Sequence, residues 1–228
     1  MILDGEVEDN QIEESLSNPI HYREVEESPL VDHNKRLEEL ASRGLERREI
    51  TQEMYRFITN KQPGTSSSQR ADEPHLANPK PQMKTHKLDD EGNMVEPVPI
   101  RVITAGTGTP MQNLSKLASK GKEHLTKPEN LPRHNRSTKE VVKRTFFIND
   151  EYTPLPLEAA IAFSDVKSMY PNTDVKEEIA EVKAKLETDP SPLGLSAEYL
   201  AECLKLCMEC YCVQFKNKFY IPHRNKQH

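Results

Sequence analysis

Ser196-Ala197-Glu198-Tyr199-Leu200-Ala201-Glu202-Cys203-Leu204-Lys205-Leu206-Cys207-Met208-Glu209-Cys210-Tyr211-Cys212-Val213-Gln214-Phe215 reads as one helix, capped by Ser196 and running to about Phe215. Glu198, Glu202, Lys205 and Glu209 make a polar stripe on one side. Leu200, Leu204, Leu206, Met208, Tyr211 and Val213 interleave with all four cysteines of the chain. Cys203, Cys207 and Cys210 fall on one face at i, i+4, i+7. At ~100° per residue Cys212 points the opposite way from Cys207, so one continuous helix cannot aim all four thiols at a tetrahedral metal. Packing as small core hydrophobes is the reading this favours. A metal site, with His223 as a further ligand, and redox sensing stay open as alternatives.

Outward from this helix, Asp174 is a cap with Glu177 three residues on, opening an amphipathic helix that carries Val175, Ile179, Val182 and Leu186. Asp189-Pro190-Ser191-Pro192 breaks the chain after it. Leu157, Ile161, Phe163, Val166, Met169 and Tyr170 suggest a largely buried helix ended by Pro171. Arg144-Thr145-Phe146-Phe147-Ile148 and Lys218-Phe219-Tyr220-Ile221-Pro222 have strand composition and bracket the helices, so they are expected to pair and close the domain. That predicts a small α+β, mostly helical, C-terminal domain over 141–228, folded between 141 and 222. With its strands paired, Lys139, Lys143, Arg144, Lys216, Lys218 and Arg224 converge on one basic edge, which suits phosphate backbones or acidic protein surfaces.

The rest of the chain predicts little structure. Residues 61–140 form a linker opened by Gly64-Thr65-Ser66-Ser67-Ser68 and punctuated by nine prolines from Pro63 to Pro132. Its one apolar patch, Val98, Ile100, Val102 and Ile103, suggests a short strand or a docking peptide. Ala105-Gly106-Thr107-Gly108-Thr109-Pro110 lacks the Gly-Lys-Ser/Thr of a phosphate loop. Residues 33–60 give two short helices. Leu37, Leu40 and Ala41 line the first, with Gly44 as its stop, and Ile50, Met54, Phe57 and Ile58 line the second. Such narrow stripes need self-association through 33–60 or another partner, or else the helices flicker. Residues 1–32 read as an acidic disordered head with ten acids and one base, and Leu3, Val7, Ile12 and Leu16 as its apolar anchors. That pattern suits a segment that folds into a partner's basic groove. Ser28-Pro29 and Thr109-Pro110 are candidate proline-directed phosphosites.

Composition agrees with a largely disordered chain. Of 228 residues 35% are hydrophobic and 30% charged, Trp is absent, and mean hydropathy is −0.78. Such a chain cannot offset ordering entropy along its whole length. No stretch approaches a membrane span, and the first residues lack the basic and apolar regions of a secretory signal, so a reducing cytoplasm with free thiols is expected. The eight histidines form no metal motif and no nucleophile sits in a catalytic context, so no enzyme and no cofactor is expected. The acidic head, net −9, and the stretch Lys116 to Ile148, net +6 from nine bases and three acids, suggest two different partners.

Tyr152-Thr153-Pro154-Leu155-Pro156-Leu157-Glu158 with Ala162-Phe163-Ser164 is similar to the start of the vesiculovirus-type phosphoprotein C-terminal domain. Leu195-Ser196-Ala197-Glu198, followed by Tyr211-Cys212-Val213-Gln214-Phe215-Lys216-Asn217-Lys218-Phe219-Tyr220, echoes its last helix and basic end. The order of acidic peptide, short helices, disordered middle and small C-terminal domain also resembles rhabdovirus phosphoproteins. The insert from about Val166 to Pro192 departs from the short vesiculovirus form. The resemblance implies a non-catalytic polymerase cofactor in host cytoplasm and virion. The head would chaperone RNA-free nucleoprotein. The C-terminal domain would hold the nucleoprotein–RNA template, tethering the large polymerase protein to it, with RNA contacted only indirectly. A cellular cytosolic adaptor, and a zinc-binding regulator built on the four cysteines, are the alternatives.

Overall fold

The computed structural model describes residues 5–60, 75–83, 100–127, 138–151 and 174–223. In order they form α1 (Gly5–Leu16), β1 (Tyr22–Val25), α2 (Leu30–Glu46), α3 (Gln52–Thr59), β2 (Pro79–Met83), β3 (Ile100–Thr104) and α4 (Gln112–Lys122), which ends in a 3-10 turn (Glu123–Thr126). Then follow α5 (Thr138–Glu151), α6 (Val175–Thr188), α7 (Ala197–Glu209), β4 (Val213–Phe215) and β5 (Lys218–Pro222). Of the described residues 59% are helical and 14% strand, which makes the fold mostly helical with a minor sheet component.

α7 is the central helix. Ser196 Oγ accepts from the Tyr199 amide at 3.1 Å and donates to Glu49 Oε1 at 2.9 Å, so its N-terminus is tied to the α2–α3 connection. Tyr199, Leu200, Cys203, Leu206 and Cys210 fall on one face and are buried. They share a core with Leu37, Leu40 and Ala41 of α2, Ile58 of α3, Leu114, Leu117 and Ala118 of α4, and Leu186 of α6. The apolar stripes of residues 33–60 thus lie inside this core. Neither short helix can bury its face alone. Gly44 is not a helix stop either. It lies inside α2, where an added Cβ would come within 2.5 Å of the Tyr199 hydroxyl, so it is the residue that lets α2 lie against α7.

Within the segment expected to be disordered, residues 5–16 form α1 and residues 22–25 form β1. β1 pairs antiparallel with β5, which also pairs with β4, giving the order β1-β5-β4. A second, smaller core holds Ile12 and Leu16 of α1 with Val213 and Tyr220 of the sheet, and Ile100 and Val102 of β3 pack against it. β3 pairs with β2, so part of the expected linker is an antiparallel hairpin ladder. The strand expected at Ile100 to Ile103 is present, with Val98 outside the described residues.

Two further expectations fail locally. Arg144–Ile148 is helical, inside α5, and leaves Val141, Val142, Phe146, Phe147 and Ile148 between 44% and 65% exposed. Strand composition needs a pleated neighbour to pack on, and here β5 is already paired on both sides. α7 ends at Glu209, and β4 takes over at Val213. The β4–β5 turn is closed by Lys216 and Asn217 at φ 47° and 62°, the left-handed pair that a two-residue hairpin requires. Leu3, Arg224, the helix expected over 157–170 and half of the expected linker (61–74, 84–99 and 128–137) lie outside the described residues.

Candidate interaction site

β1 and β5 lie side by side, with Arg23 opposite Ile221 in register. Next to them, α2, α6 and α7 leave a cleft of about 760 Å³. Its apolar lining is Val175 and Ile179 of α6, Met208 of α7, and Ile221 and Pro222 of β5. Its charged lining is Arg23, Arg36, Lys176 and Lys205 against the single carboxylate of Glu209. In a chain of net charge −6 this is a local excess of positive charge, four cations to one anion. Asp174 fixes the α6 end of the cleft by accepting from the Lys176 and Glu177 amides at 2.8 and 3.2 Å, as its cap pattern predicts.

The cations are not equally engaged. Arg36 donates to Glu209, and this bond holds its guanidinium above its ordinary value although burial pulls the other way. Lys205 lies 3.8 Å from the same carboxylate. Arg23 and Lys176 form no ion pair among the described residues. A neighbouring hollow of about 610 Å³ continues along α2, α6 and α7, where most of the cations are paired. There Arg43 reaches Glu202 at 3.1 Å and Lys183 pairs with Glu198, which raises the lysine's pKa through that hydrogen bond. The polar stripe of α7 thus docks the arginines of α2.

The residues expected to form a basic edge are split. Lys139, Lys143 and Arg144 lie exposed on α5, while Lys216 and Lys218 lie on the β4–β5 hairpin. The hairpin lysines face acids of the head. Lys216 lies 3.2 Å from Glu13 and 3.6 Å from Asp9, and Lys218 lies 3.2 Å from Glu24. Hydrogen bonds to Glu13 and Glu24 raise the two lysine pKa values. Of the head anchors, Ile12 and Leu16 are buried, and Val7 is 39% exposed. Acids of the head and lysines of the β4–β5 hairpin thus pair within the chain.

No family, curated protein or solved structure matches the chain.

The cysteines spread out. Cys203 and Cys210 belong to the main core, where burial raises their thiol pKa values to about 12 and about 11. Cys207 is half-buried and accepts from the Ser115 hydroxyl at 3.3 Å. Cys212 lies beyond α7, buried, with its pKa raised to about 11 by desolvation. Among the described residues no group of three or more His, Cys, Asp or Glu is placed to hold a metal ion, and no helix is long and apolar enough to cross a membrane. Ser28 is exposed just before α2, and Thr109 is half-buried with its hydroxyl donating to the Gly106 carbonyl at 2.8 Å. The cleft cations Arg23, Arg36, Lys176 and Lys205 were missed by sequence reasoning. They come from β1, α2, α6 and α7, and no local pattern announces that these elements meet.

Proposed function

We propose that the chain is a non-catalytic binding protein whose cleft between β5 and α2, α6 and α7 holds an acidic, partly apolar segment of a partner protein. The observation that carries this is the excess of positive charge in the lining, Arg23, Arg36, Lys176 and Lys205 against Glu209, beside an apolar wall of Val175, Ile179, Met208 and Ile221. Charge of one sign steers the encounter, and the apolar wall supplies affinity that charge alone does not. The resemblance to rhabdovirus phosphoproteins supports a setting for this activity. In that setting the protein is a polymerase cofactor in the cytoplasm of an infected cell, the cleft holds the nucleoprotein of the assembled template, and the large polymerase protein is carried elsewhere on the chain. The same resemblance gives the head its proposed chaperone role toward RNA-free nucleoprotein.

Titration calorimetry of the full-length protein against the nucleoprotein–RNA complex of the same genome tests the reading. Arg23→Glu with Lys176→Glu should weaken binding about tenfold or more, since two like charges then face the acidic segment. Reversing Lys139, on α5 and outside the cleft lining, should leave binding unchanged. Equal binding by both variants would remove the cleft from the account. Absence of binding by the unaltered protein would leave the cellular-adaptor alternative.

A further inference from the structure

The face of the β1-β5-β4 sheet is occupied by the chain's own acidic helix, and the form of that contact specifies what else could sit there. The buried side chains of α1 are Ile12 and Leu16, one turn apart at i, i+4. They meet Val213 and Tyr220, with Tyr22, Tyr211 and Phe215 at the margin and Ile100 and Val102 of β3 beside them, so the β2–β3 ladder forms one wall of the site. Asp9, three residues before Ile12, and Glu13, one residue after it, hold Lys216 at the hairpin tip. This small core is distinct from the main one built on α7, so α1 can leave without opening the centre of the fold. A helix of 12 residues is marginal in water once undocked, so release would also melt it. The connection to β1 is a turn held by Asn18, whose carbonyl accepts from the His21 and Tyr22 amides at 3.0 Å, and β1 itself stays paired with β5.

We propose that this sheet face is an exchangeable docking site for an acidic amphipathic helix of a partner protein. Such a helix would present two large apolar side chains at i, i+4, with carboxylates three residues before and one residue after the first. α1 is the built-in occupant that such a partner displaces. The proposal stands independently of the polymerase-cofactor reading. Because the site is filled in the resting chain, the apparent affinity of any competitor is reduced by the fraction of molecules in which α1 has left. Displacement would at the same time free the carboxylates of α1 and the ammonium of Lys216 for other contacts.

The test uses the full chain and one probe, a fluorescein-labelled peptide with the sequence of residues 5–18. Fluorescence anisotropy should show binding to the Ile12→Ser/Leu16→Ser chain about tenfold or more tighter than to the unaltered chain, because the substituted helix no longer competes. The same peptide carrying Leu16→Ser should not bind. Lys216→Glu added to the opened chain should weaken the peptide, since its two carboxylates then face a like charge. Lys216→Glu alone, a change at an exposed side chain outside the main core, should speed amide exchange over residues 5–16 relative to α7. Equal peptide binding by the opened and unaltered chains would overturn the proposal. So would a failure of the opened chain to bind while its circular dichroism stays helical, or unchanged exchange over 5–16 in Lys216→Glu.

Discussion

Leu40→Ala should expose cysteines that lie more than a hundred and fifty residues away in the sequence. Leu40 is 3% exposed on α2 and packs in the core shared with Tyr199, Leu200, Cys203 and Cys210 of α7. Truncating a buried leucine to alanine removes about 2–5 kcal/mol, through lost transfer energy and the cavity left behind. Cys203 is fully buried, and its thiol pKa is raised to about 12, so reagent reaches it only when the core opens. At about 1.4 kcal/mol per tenfold, the loss raises the open population by roughly 30-fold to roughly 5,000-fold. The assay is the rate of reaction with a disulfide reagent at neutral pH, followed by mass spectrometry for Cys203 and Cys210 separately. Cys212, in the neighbouring loop, serves as internal comparison. If Leu40→Ala loosens α2 by circular dichroism while Cys203 reacts as in the unaltered protein, then the two ends do not share a core and the reasoning is refuted.

Three further outcomes follow from the same geometry. Burial lowers the pKa of His33 below its ordinary 6.5, an effect that neighbouring Asp32 only partly offsets. The unfolded chain then binds the proton more readily, so stability should fall as pH drops below about 6.5, and His33→Gln should flatten thermal melting between pH 7 and 5. Gly44→Ala should destabilise by about 1–3 kcal/mol despite a better helix former, because the new Cβ would press on Tyr199, and chemical denaturation would show it. Phe146→Ser should change the melting temperature by less than the scatter of typical surface substitutions, about ±0.5 kcal/mol, because this ring is 65% exposed on α5.

Local signals were legible where chemistry was local. Asp174 and Ser196 cap their helices as their side chains predict, and the period of Leu37, Leu40 and Ala41 marks the buried face of α2. Lys218–Pro222 is a strand as its composition predicts. The failures are long-range. Ile12 and Leu16 look like stray anchors in an acidic peptide, because nothing near them in sequence carries Val213 or Tyr220. Tyr211-Cys212-Val213 continues the apolar run of α7, so periodicity alone extends the helix into what is β4. Lys216-Asn217 closes a hairpin without the glycine that usually flags one, and so hid the turn. Phe146-Phe147-Ile148 has strand composition, but Glu140 and Arg144 stand at the helical i, i+4 spacing. The cleft shares this cause, since its four cations come from four separate elements.

Residues 30–59 pack with 112–122 and 175–209 as one body, with α2, α3, α4, α6 and α7 sharing one core. A specific protease site inserted between residues 60 and 75 allows the chain to be cut there after folding. Gel filtration of the cut protein, with circular dichroism of the eluted peak, is the direct measurement. Both pieces should elute together at the volume of the intact chain with its helical signal retained. Separation into two peaks, the C-terminal piece still helical and cooperatively melting on its own, would contradict it.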